Sequence, residues 1–157
     1  MAADYNYNQL FNEGEQRLFA LAENPMNVNP SDWRDFVEKF KNVATYEKSD
    51  FEIIAKAVHG ELDIETCLAT INESLYFLVQ EYDAAMVVAM VIGIINIDIR
   101  ISLDYLNDLK VSLSREYIES NYLFSEKIKQ YIETAHKLII QVLEKYKVLQ
   151  TISELSI

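Results

Sequence analysis

Few residues in this chain could carry chemistry, and their spacing limits what it could be. Glu133 and His136 form a Glu-x-x-His motif, which sets a carboxylate beside an imidazole on one helix face. In ferritin-like proteins two such motifs and two further glutamates converge on a metal pair. Here the second histidine, His59, has Lys56 three residues before it, so half of that cage is missing. A chance surface pair is the expectation, and a helical metalloprotein using Glu133 and His136 is the least supported reading. His59 precedes Gly60 at an expected helix C-terminus, where an imidazolium suits the helix dipole. Cys67 is the only cysteine, so neither an intrachain disulfide nor a thiolate cluster can form. It shares an apolar stripe with Ile64, Leu68 and Ile71 and reads as a small buried hydrophobe. Gly14, Gly60 and Gly93 lie too far apart to cradle a phosphate. No nucleophile elbow or His-Glu-x-x-His occurs, and no Ser-x-x-Lys with supporting partners. No catalytic residue, metal or cofactor is expected, and the chain reads as a non-enzyme.

The elements that would position these residues are helical. A chain of 157 residues, 50% of them hydrophobic, fits one domain over 1–157 with a real core. Leu10, Phe11, Gly14, Leu18 and Leu21, with Tyr7, fall at helical spacing over about 5–22. Residues 24–30, with two prolines, form a loop, and Ser31 is the expected N-cap of a second helix. Trp33, Phe36, Val37, Phe40, Val43 and Ala44 line that helix. Ser49 and Glu52 suggest a capping box for a third helix ending at Gly60. Asp63 can cap a fourth, whose stripe runs Ile64, Cys67, Leu68, Ile71, Leu75 and Leu78. Asp83 can cap a fifth, containing the most apolar run, Ala84–Ile97. Ile95 to Leu103 alternates as a strand would, yet Val88, Val91, Ile92, Ile95, Ile99, Leu103, Leu106 and Leu109 also share a helix face. With no second convincing strand to pair with, helix is the choice. A long final helix carries Ile128, Tyr131, Ile132, Ala135, Leu138, Ile139, Val142 and Tyr146. The expected fold is an all-α, single-domain bundle of six or seven helices around an apolar central helix.

Surface character follows from charge. Acids outnumber bases 25 to 14, a net charge of −11. Residues 50–108 hold eleven acids and two bases, and no lysine or arginine lies between Lys56 and Arg100. Such a surface repels nucleic acid and anionic membrane and attracts basic proteins. Asp98, between Ile97 and Ile99, reads as a charge that meets solvent. Opposite the apolar stripe of the fourth helix, Glu65, Ala69, Asn72, Glu73, Tyr76 and Gln80 share an arc of about 100°. With Glu61 and Asp63 just before it, that arc is the candidate partner-binding site, because tyrosine contributes area and carboxylates pair with cations. The leading expectation is a small acidic protein that occludes a basic partner: a toxin, a nuclease or a nucleic-acid-binding protein. An immunity protein, antitoxin or nucleic-acid mimic would act so. The alternative is a secretion chaperone or adaptor that captures an apolar or amphipathic helix and forms a homodimer. One free cysteine and no signal-like N-terminus point to the cytoplasm, and no run reaches the ~20 residues of a membrane span.

Overall fold

Eleven consecutive residues, Ala84 to Ile94, are buried, and the rest of the chain is arranged to cover them. The computed structural model describes residues 7–40, 48–77 and 80–155. Among them run α1 (Tyr7–Glu23), α2 (Pro30–Glu38), α3 (Lys48–Val58), α4 (Ile64–Tyr76), α5 (Glu81–Ile95), α6 (Ile99–Ser112), α7 (Arg115–Asn121) and α8 (Glu126–Leu155). One 3₁₀ turn, Pro25–Asn27, links α1 to α2. The described residues contain no strand. A helix that is apolar all round has no face to offer water. α5 is accordingly packed against α1, α3, α4, α6 and α8.

The all-α bundle with a central apolar helix is as expected, and the described residues form eight α-helices where six or seven were expected. The difference lies at residues 96–98, where the expected single fifth helix divides into α5 and α6. The Asn96 side chain donates to the Val58 carbonyl at 3.0 Å, tying the end of α5 to the end of α3. Asp98 then caps α6, its carboxylate accepting from the Arg100 amide at 3.0 Å. The alternation of isoleucines belongs to this joint and the first turn after it. Ile99 packs against the core, whereas Ile101 is 61% exposed.

Several caps also move. Asn29, not Ser31, caps α2: its side-chain oxygen accepts from the Ser31 amide, and Pro30 takes the first helical position. Ser49 lies inside the first turn of α3, which begins at Lys48. Gln80 holds the cap position of α5, and Asp83 falls in its first turn. Asp63 caps α4 as expected. Val43, Ala44 and Leu78 lie outside the described residues, as does the side chain of Tyr7.

Close approach to α5 depends on small residues. A Cβ at Gly93 would lie 2.9 Å from the Ala57 Cβ of α3 and 3.1 Å from the Cys67 Sγ of α4. Neither neighbour is a flexible chain end that could swing aside. Gly60 ends α3 with φ of +70°, the left-handed conformation that glycine adopts without a Cβ penalty. Gly93→Val should therefore destabilise the protein by ~1–3 kcal/mol in urea unfolding, as overpacking does elsewhere. An unchanged midpoint would show that α3 and α5 are not in contact at this level.

Candidate protein-interaction surface

α4 is a two-faced helix, and its buried face fixes where the other points. Cys67, Ile71, Ser74 and Leu75 are buried, and α4 packs on α5. The opposite face exposes Glu65, Ala69, Asn72, Glu73 and Tyr76, so the structure brings together that part of the expected arc. At 1.5 Å per residue, Glu65 and Tyr76 stand about 16 Å apart along the helix. Tyr76 is 81% exposed and Phe77 62%, with their rings edge to face and centroids 4.8 Å apart. Together the two rings give the C-terminal end of α4 an exposed apolar patch.

Two expected site residues have duties inside the fold, and a third lies off the helix. Asp63 accepts from the Thr66 hydroxyl at 2.7 Å and the Thr66 amide at 3.0 Å, and these bonds hold its carboxyl below the usual range. Glu61 accepts from Arg34 of α2 at 2.8 Å, so the field around it is not uniformly negative as its neighbours in sequence suggest. Gln80 is not on α4 at all. That helix ends at Tyr76 with Phe77 at its cap, and Gln80 precedes the next helix instead. Glu65 and Glu73 remain, and among the described residues neither has an ion-pair partner.

The structure adds residues that the sequence reading passed over. Glu61, Asp63 and Glu65 line a groove of about 510 Å³ with Ile97 of the joint before α6 and with Ile101 and Tyr105 of α6. Ile101 and Tyr105, 61% and 40% exposed, supply apolar surface beside the carboxylates. Their spacing of four, off the main stripe of that segment, was the available signal.

The other candidates are accounted for locally. Glu133 accepts from Arg115 at 3.3 Å, and the same guanidinium bridges Glu119 at 2.7 Å and Glu126 at 3.0 Å. Among the described residues no group of three or more His, Cys, Asp or Glu side chains could hold a metal ion. His59 donates from Nδ1 to the Ala55 carbonyl at 2.8 Å. Asp98 is exposed as expected, and its bonds to Arg100 bring its carboxyl down to about 2. Among the described residues no helix is long and apolar enough to cross a membrane. No protein-family model, curated protein or solved structure matches the chain, so its surface is read from its own geometry.

Cys67 is fully buried, and burial, helped by the nearby Asp63 charge, pushes its thiol up to about 12. The raised value favours the protonated thiol, which is a poor nucleophile across the neutral and mildly alkaline range. Labelling with a thiol reagent at about pH 8 should be at least ~10-fold slower in the folded protein than in urea, given an ordinary cysteine pKa near 8.5. Equal rates would place Cys67 in contact with solvent.

Proposed function

We propose that this protein binds a basic protein partner along the outer face of α4 and the groove at its N-terminal end, and so occludes the partner's cationic surface. One observation carries the reading. The unpaired carboxylates Glu65 and Glu73 lie between two exposed apolar groups, Tyr76 with Phe77 and Ile101 with Tyr105. Carboxylates steer a cationic partner and raise its association rate, while desolvated aromatic side chains slow its release. A toxin, a nuclease or another nucleic-acid-binding protein has the required surface. The rigid backing of α5 holds the face in place before binding, which reduces the ordering cost. One buried thiol suits a reducing cytoplasm.

An apolar recess of about 570 Å³, lined by Met26, Val28, Val58, Ile92, Leu138 and Val142 among others, favours the second reading, capture of an apolar helix as an adaptor would. Salt separates the two. Binding on α4 should weaken steeply with ionic strength, and apolar capture should not. After affinity capture and identification of a partner, its kinetics should be compared across variants. Glu65→Lys with Glu73→Lys should slow association at least ~10-fold, and Tyr76→Ala should speed dissociation by a similar factor. Binding unchanged within about twofold (roughly 0.4 kcal/mol) in all three would place the interface elsewhere.

A further inference from the structure

The apolar recess between the 3₁₀ turn, α5 and α8 has a dry side and a polar side. Val58, Ile92 and Leu138 line it from the core and are buried. Asn96, just past the end of α5, and Gln141 and Lys145, further along α8, also line it and are exposed. Arg100, four residues past Asn96, interacts electrostatically with Tyr146, next to Lys145, so the two exposed ends come together. Leu138, Gln141, Val142 and Lys145 recur at i, i+3, i+4 and i+7, and one face of α8 therefore passes from aliphatic wall to ammonium. Among the described residues Lys145 has no ion pair and Gln141 no hydrogen-bond partner. The Asn96 amide donates one hydrogen to Val58 and keeps a second.

Size and charge select the occupant. The recess, at about 570 Å³, falls within the roughly 300–1,000 Å³ of small-molecule sites. An α-helix is about 10–12 Å across with a pitch of 5.4 Å, so the same space would hold only about one turn of a captured helix. The aliphatic side suits an alkyl chain. On the polar side the ammonium can only donate, so the head that matches it is an anionic acceptor. The surroundings admit an anion even though the chain carries a net charge of −11. Residues 24–30 hold no charge, Lys145 and Lys147 balance Glu144 and Glu154, and Asp98 is paired with Arg100.

We propose that the recess binds a single-chain amphiphile with a carboxylate head, its alkyl tail against Val58, Ile92 and Leu138 and its head on Lys145 and Gln141. None of these residues belongs to the outer face of α4, so the site stands or falls apart from the reading of a basic partner.

Calorimetric titration of the full chain with decanoate, and with decylammonium as the same tail bearing the opposite charge, tests the site. Decanoate should bind one to one below about 1 mM, and more tightly than decylammonium. Lys145→Glu should weaken decanoate at least roughly tenfold (about 1.4 kcal/mol) and improve decylammonium. Val142→Trp, which fills the recess from a half-buried position, should abolish decanoate binding with unchanged helical circular dichroism. Tyr76→Ala, on the α4 face, should leave decanoate affinity within about twofold. Absence of saturable decanoate binding overturns the proposal, as does equal or tighter binding of decylammonium by the unaltered chain. Binding that survives Val142→Trp would put the ligand elsewhere, and indifference to Lys145→Glu would remove the assigned head contact. Saturable binding of an apolar helical peptide, with none of decanoate, would return the recess to the adaptor reading and equally overturn this one.

Discussion

A helix with no wet face is the constraint from which the architecture follows. α5 buries Ala84 through Ile94 without interruption, and burying apolar surface is the dominant favourable contribution to folding. Five other helices must therefore reach it, and each can turn only one apolar stripe toward it. Small residues decide how close they come. Ala85, Ala89 and Gly93 recur every fourth residue, and at Gly93 the backbones of α3 and α5 approach to where a Cβ would collide with Ala57. Polar groups keep to the ends of α5, where the Asn96 amide joins the carbonyl of Val58. Orientation of the outer faces is then a consequence. With Cys67, Ile71 and Leu75 turned to α5, the carboxylates of α4 point to water.

What could be read from the residues depended on whether the deciding interaction was local. The central helix was legible because no amphipathic pattern can accommodate so long an apolar run. The α4 arc up to Tyr76 was legible because its apolar stripe is strong and Asp63 is a good cap. The joint at residues 96–98 was not, since the helix pattern runs through it unbroken from Ile95 to Ile99. Only the bond from Asn96 to Val58, 38 residues away, shows why the chain turns there. The ion pair from Glu61 to Arg34, which spans 27 residues, was equally out of reach, as was the groove joining α4 to α6. Gln80 was misplaced for a smaller reason. Helical spacing continues past Phe77 in the sequence, while the helix stops.

Charge is distributed in a way that packing does not require. The bases outside the acidic segment are engaged with carboxylates in several places. Arg17 and Lys39 both contact Glu13, Arg34 contacts Glu61, and Arg115 joins Glu119, Glu126 and Glu133. Exposed pairs of this kind contribute little each, so stability alone gives weak reason for their placement. Their effect on the field is larger. They neutralise acids around α1, α7 and the start of α8, and leave Glu65 without a counter-charge beside Ile101 and Tyr105, and Glu73 without one near Tyr76 and Phe77. Clustered like charges oppose compact folding, so an arrangement chosen only for solubility would spread them over the surface. A face that keeps both uncompensated carboxylates and exposed rings departs from that arrangement in two independent respects. Both departures become favourable together when a cationic surface with apolar contacts covers the face, and that coincidence is the physical basis for reading α4 as an interface.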